Sequence, residues 1–295
     1  MKKQPENKVT PLAFSLYRIE QHIIHVYSFL SFLMENGSFD EVIKCLRQNY
    51  YKLYPDMDIV PDIVIVTGSL SKSHLELRPD AKEKFNMNEI ENQDNAIGRM
   101  GLPKVVGDDI YILLNYNEMV KYTEDDSMAW ISTYAHELTH AIDYHRMALK
   151  ENLNIYDSLN ETSEYCMFQL WSEYHAKKLG CRFLRNQLNV DIDANDEMDR
   201  IQYILNVEWP YYKEYHQAKD TYKEIYVTMR LLARYSVWCD LFPNPFNESA
   251  FKKIFVDIPW IYNIFAFLRQ HNSLDIVYPK FGDMRLLLKE TWQGL

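Results

Sequence analysis

Glycine is scarce in this chain, with eight residues in 295, and that shortage disfavours the glycine-rich loops by which nucleotide-binding sheets approach phosphates. Cysteine is scarcer still: Cys45, Cys166, Cys181 and Cys239 are scattered, without a Cys-x-x-Cys pair or the dense spacing of a disulfide scaffold. They are expected to be reduced thiols in a helical core. Long apolar runs are missing as well. The two most apolar stretches, Ile23 to Met34 and Trp260 to Leu268, are too short to span a bilayer and are broken by His25, Ser28, Ser31 and Asn263. Basic residues are the minority, 32 against 42 acidic, so a formal net charge of −10 repels nucleic-acid phosphates. The N-terminus is basic but no apolar segment ending in small residues follows it, so no signal peptide is expected and the chain is placed in the cytoplasm.

What is abundant is aromatic and aliphatic. There are 22 tyrosines and 14 phenylalanines, and 47% of residues are hydrophobic against 25% charged, an ordinary globular balance that points to helices packed through aromatic side chains. From Leu12 to about Tyr54 apolar residues recur at intervals of three and four, which predicts two helices with a turn at Asn36-Gly37. Between Pro61 and Asn115 the pattern becomes strand-like at Ile63-Val64-Ile65-Val66 and again at Ile110-Tyr111-Ile112-Leu113-Leu114, predicting a small sheet. After Thr123 helical periodicity returns almost to the end, interrupted by an Asn/Asp-rich segment from Asn186 to Asp199 and by Pro243-Asn244-Pro245. No repeat, low-complexity tract or flexible linker is visible. The expectation is one compact body in three regions: N-terminal helices over 1–60, a core over 61–190 and C-terminal helices over 191–295.

One motif carries chemistry. His136-Glu137-Leu138-Thr139-His140 lies in a helical stretch whose apolar residues Ile131, Ala135, Leu138 and Ile142 can pack on the body, and Thr123 with Asp126 is a candidate cap for that helix. Two histidines four residues apart stand one turn apart on one helix face, so both imidazoles can reach one ion at the roughly 2.0–2.1 Å that zinc–nitrogen bonds require. Glu137 projects off that line, where its carboxylate can take a proton from a water activated by the ion without ligating the ion itself. Two histidines with a carboxylate favour Zn2+ among divalent ions.

The motif resembles the active-site helix of the zincin metallopeptidases, specifically the gluzincin type. Metzincins are excluded, because their pattern demands Gly at Asp143 and a third histidine at Arg146. The resemblance implies that the third ligand is a glutamate on a following helix. Glu173, 33 residues after His140 in Trp171-Ser172-Glu173-Tyr174-His175-Ala176, is the best match, and its Glu-x-x-Ala form is similar to the ligand helix of short cytoplasmic zincins related to phage-repressor-cleaving peptidases. Glu164 and Glu161 are reserves. Asp143, one turn past His140, can accept a ring N–H from a ligand histidine, ligate the metal, or be a surface charge. The resemblance also implies an oxyanion donor, which the tyrosines leave unassigned, and an edge strand that aligns an extended peptide, for which Ile110 to Asn115 is the candidate.

Other features read as structural. Asp191-Ile192-Asp193-Ala194-Asn195 begins like a calcium loop but has Asp196 and Gln202 where Gly and Glu are needed. His22 and His25 read as core or boundary residues, His145 and His175 as packing or surface residues, and the aromatic series Trp209, Tyr211, Tyr212, Tyr215, Tyr222, Tyr226 and Tyr235 as core, with a substrate wall the alternative for these aromatics.

The expected protein is therefore α+β and predominantly helical, with a zincin-like core of a small sheet, an active-site helix and a ligand helix, flanked by N- and C-terminal helices. Its expected function is zinc-dependent hydrolysis of a peptide bond, with His136, His140 and Glu173 on the metal and Glu137 as general base. A protein or peptide substrate is expected, cut with narrow specificity or under an activating partner in a toxin, phage-defence or regulatory role, with no nucleic-acid or membrane partner. The alternatives are an inactive zincin-like binding or regulatory protein, and a helical interaction protein in which the motif is accidental.

Overall fold

The computed structural model describes residues 39–56, 59–79, 96–124, 128–188, 221–241, 251–252, 255 and 259–289. It is mostly helical, with one three-stranded mixed sheet. The first helix expected near the N-terminus, His22, His25, the acidic segment from Asp191 to Asn195 and the aromatics from Trp209 to Tyr215 lie outside the described residues. The chain forms two compact units, one of Met1–Pro55 with Arg185–Asp191 and one of Asp56–Leu184 with Ile192–Leu295.

In the first unit, helix α1 (Phe39–Leu53) follows Asn36-Gly37 and buries Val42, Ile43, Leu46 and Tyr50 along one stripe. Asp40 and Glu41 in its first turn and Lys52 in its last complement the helix dipole. Asn49 Nδ2 donates to Gln187 Oε1 at 2.8 Å.

The second unit holds the sheet. Strand β1 (Asp62–Val66) leads into helix α2 (Leu70–Leu77), where the Ser69 hydroxyl accepts the Lys72 N–H at 3.1 Å as an N-cap. Strands β2 (Gly98–Gly101) and β3 (Tyr111–Asn115) complete it in the order β1-β3-β2. Strand β1 runs parallel to β3, with Asp62 opposite Tyr111 and Val66 opposite Asn115, while β2 runs antiparallel, with Gly98 opposite Leu114 and Gly101 opposite Tyr111. Because β3 is central, Ile112, Leu113 and Leu114 are buried together, which accounts for an unbroken apolar run in place of alternation. The same placement corrects the edge-strand expectation for Ile110 to Asn115: the strand there, Tyr111–Asn115, lies between β1 and β2, and among the described residues the antiparallel edge is β2. Its Gly-Arg-Met-Gly sequence carries neither β-branched residues nor an apolar alternation, so the pattern gave no sign of it.

Helix α3 (Tyr116–Glu124) follows β3 directly, with Asn115 Oδ1 accepting the N–H groups of Asn117 and Glu118. Thr123 therefore belongs to α3 and does not cap the next helix; its hydroxyl donates to the Met119 carbonyl and accepts from Trp130 Nε1. Helix α4 (Ala129–Lys150) instead begins after Met128, which is fully buried in a left-handed conformation with φ 48°, while Asp126 lies outside the described residues. Ile131, Ala135, Leu138 and Ile142 are all fully buried, as the periodicity of the motif helix requires. A 3-10 turn (Tyr156–Glu161) then leads to helix α5 (Tyr165–Leu188). Helices α6 (Thr221–Leu241), α7 (Pro259–Gln270), α8 (Leu274–Val277) and α9 (Phe281–Lys289) pack around an aromatic core that includes Phe168, Trp171, Tyr174, Tyr235, Phe251 and Phe265.

All four cysteines are free, but Cys45 is exposed and only Cys239 is buried, so they are not a set of core thiols. Among the described residues no helix is long and apolar enough to cross a membrane.

Candidate metal centre

Helices α4 and α5 meet at a glycine. A Cβ on Gly180 would lie 2.5 Å from the Ser132 carbonyl oxygen and 3.2 Å from His136 Cβ, so only glycine lets the two backbones approach this closely. The contact falls on His136 itself and sets α5 against the motif face of α4.

Across this interface the ligand atoms of His136, His140 and Glu173 lie within 4.8 Å of one another. His140 Nε2 is 3.3 Å and His136 Nε2 3.8 Å from Glu173 Oε2. A tetrahedral ion with bonds of about 2.0–2.1 Å separates its donors by roughly 3.4 Å, so two imidazole nitrogens and a carboxylate oxygen at these spacings can hold a metal ion. Among the described residues no other His, Cys, Asp and Glu side chains form such a trio. The reserve glutamates stand elsewhere: Glu164 pairs with Arg285 at 3.2 Å, and Glu161 is exposed at the end of the 3-10 turn.

Glu137 keeps out of the trio. Its Oε1 is 4.0 Å from His136 Nε2, while Oε2 accepts the backbone N–H of Met100 on β2 at 2.8 Å. The Ile97 carbonyl accepts from the Asn115 N–H, so alternation turns the backbone groups of Gly98 and Met100 away from β3, along the edge of β2 that no strand covers among the described residues. Burial raises the Glu137 carboxyl above its ordinary range, against the lowering effect of nearby His140 and of the Met100 hydrogen bond.

The electrostatics of the trio are uneven. Burial, reinforced by the neighbouring His140, holds His136 well below the usual histidine value and so keeps its imidazole neutral. At His140 burial acts in the same direction, but the hydrogen bond and charge of Glu173 outweigh it and raise the imidazole. Burial opposes the charge of Glu173 too, yet His140, His136 and Arg230 together hold the carboxyl far below the ordinary range. The trio thus presents one ionised carboxylate, one neutral imidazole and one imidazole whose proton is held by that carboxylate.

A hydrogen-bonded chain lies behind His140. Its Nδ1 is 2.9 Å from Ser172 Oγ, Ser172 Oγ donates to Asp143 Oδ2 at 3.1 Å, and the same carboxylate oxygen is 2.9 Å from His175 Nδ1. Asp143 is 2% exposed and so is no surface charge; it reaches His140 through Ser172 and not directly. His175 is stacked on Trp171, with ring centroids 4.8 Å apart, whose indole N–H donates to the His271 carbonyl. His145 bonds to the Tyr156 hydroxyl at 2.7 Å, outside this chain.

The far wall comes from α6. Tyr226 Oη donates to Glu173 Oε2 at 2.5 Å, and Arg230 Nε, one turn on, is 3.1 Å from Glu173 Oε1. Tyr222 and Tyr226 are thus partly buried and packed against the core, with the Tyr226 hydroxyl reaching the site, while Tyr235 is fully in the core, packed on Phe251 and Phe265. Tyr226 and Arg230 are 53 and 57 residues beyond Glu173, and nothing in the sequence links them to it.

No protein family, curated protein or solved structure matches this chain.

Proposed function

We propose that the chain is a zinc-dependent peptidase, with His136, His140 and Glu173 holding the metal. The observation that carries this reading is the position of Glu137: a largely buried carboxylate beside the two-histidine, one-glutamate donor set, with one oxygen bonded to a strand edge and the other 4.0 Å from His136 Nε2. A divalent ion bound there supplies Lewis-acid polarisation of a carbonyl and of a water molecule.

The chain's own groups account for the rest of a hydrolysis. Glu137 Oε1 takes a proton from the attacking water as the new C–O bond forms, and returns it to the amide nitrogen as the C–N bond breaks, leaving a carboxylic acid and an amine, which become carboxylate and ammonium by passing the acid's proton to the amine. Its raised affinity for a proton suits both halves of that transfer. The outward groups of Gly98 and the Met100 carbonyl offer an extended peptide a strand to pair with, beside the Met100 N–H that Glu137 already takes. Tyr226 Oη, on the opposite wall, is a donor for the developing oxyanion once its bond to Glu173 is exchanged for one to substrate. A cytoplasmic setting, with narrow specificity or an activating partner, belongs to the same proposal.

The test is metal content by mass spectrometry on chain purified without chelators, with Glu137→Gln, His140→Ala and Glu173→Ala alongside. About one zinc per chain, retained in Glu137→Gln and lost in both ligand variants, with hydrolysis abolished in Glu137→Gln, is the expected pattern. Turnover retained by Glu137→Gln refutes the mechanism. A chain that takes up no zinc refutes the whole reading.

A further inference from the structure

Beside the trio the chain gathers positive charge that it does not neutralise. Lys177 stands one turn beyond Glu173 on α5, and Arg230 and Arg234 are one turn apart on α6. Lys177 and Arg230 both act electrostatically on His136, and both arginines oppose the charge of the half-buried Lys177 ammonium. The carboxylate common to Lys177 and Arg230 is Glu173, held by Arg230 at 3.1 Å and already shared with both histidines, while Arg230 also acts on Glu137. Lys177 and Arg234 form no ion pair among the described residues. The next lysine on α5 is treated differently: Lys178 is paired with Asp240 at 3.1 Å, and Asp240 also holds Arg269. In a chain of net charge −10, cations left without counter-ions at a site that can bind a divalent cation create a local potential that an anion would neutralise.

We propose that Lys177, Arg230 and Arg234 form a subsite that binds a substrate carboxylate close to the cleaved bond. The inference rests on the peptidase reading and extends it to substrate class. The carboxylate comes either from an acidic side chain flanking the bond or from the C-terminus of the substrate, and one experiment separates the two. The probes are phosphinic pseudohexapeptides, in which CH2–PO2 replaces the cleaved amide, with Glu or Gln placed at each of the four positions around that unit and with free or amidated C-termini. Their affinities for the zinc-loaded full chain are measured by titration calorimetry.

Glu bound about tenfold tighter than Gln at one position identifies an acidic side chain; a free terminus bound about tenfold tighter than its amide identifies a C-terminal carboxylate. Either difference should shrink to within about twofold in Lys177→Met and Arg234→Gln chains that retain zinc. Persistence of the full difference in both variants overturns the assignment of these residues. Equal affinity for all probes overturns the subsite while leaving the peptidase reading in place. Failure of every probe to bind overturns both.

Discussion

Replacing Gly180 by alanine should damage the metal centre far more than the fold. The new methyl carbon would sit 2.5 Å from the Ser132 carbonyl oxygen, and since that neighbour is backbone, α4 and α5 must separate by roughly 1 Å to restore ordinary contact. Overpacking of this kind costs about 1–3 kcal/mol, while alanine regains about 1 kcal/mol of helix propensity over glycine, leaving a net loss of about 0–2 kcal/mol. The metal site has no such compensation. His136 lies on one helix at the contact itself and Glu173 on the other, and ligand distances are held to about 0.2 Å. A shift several times larger should weaken zinc binding by about 10–100-fold, the loss seen when supporting residues of metal sites are altered. Competition for zinc against a chromophoric chelator measures the affinity, and a circular-dichroism melt of the chelator-treated chain measures the fold. Gly68→Ala is the control, because no atom lies within 4 Å of the added methyl position there. Zinc affinity within twofold of wild type for Gly180→Ala, with an unchanged melt, would refute the claim that this contact holds the ligands in place.

Ser172→Ala removes the fully buried hydroxyl that joins His140 to Asp143, and should lower zinc affinity about 10–100-fold; an unchanged affinity in the same chelator competition would show that the hydrogen-bonded chain does not support the ligand. Tyr226→Phe should retain zinc and leave KM nearly unchanged while kcat falls about 100–1,000-fold, whereas a kcat within tenfold of wild type would remove Tyr226 as oxyanion donor. Zinc uptake should release protons near neutral pH, because His140 in the metal-free chain is raised above its ordinary value by Glu173, so a fraction of its imidazoles carry a proton that metal must displace. The sign follows: affinity falls as pH drops through the raised value, and the heat of zinc binding depends on the ionisation heat of the buffer; equal heats in phosphate and Tris at pH 7 would contradict it.

Much of the core was legible because its signal is local. Ile131, Ala135, Leu138 and Ile142 recur at helical spacing and are all buried, and Ile63 to Val66 and Ile110 to Leu114 mark two of the three strands. Strand β2 was not legible, since Gly98 and Gly101 give no alternation and its pairing with β3 is long-range. The cap of α4 was misread because Thr123 has the right chemistry but already lies in α3, where the Met119 carbonyl takes its hydroxyl proton.

The sequence by itself determined the pair of candidate metal-binding histidines and the carboxylate beside them, because positions 136, 137 and 140 are related by the pitch of a single helix. A resemblance pointed to Glu173, but only the packing of α5 on α4 through Gly180 brings its oxygen to 3.3 Å from His140. The tertiary structure alone decided the remaining parts: Met100 as the partner of Glu137, Ser172 between His140 and Asp143, and Tyr226 and Arg230 on Glu173. Each joins elements distant in the chain. Residue type and spacing constrain neighbours within one helix, whereas contacts between helices depend on which faces bury together.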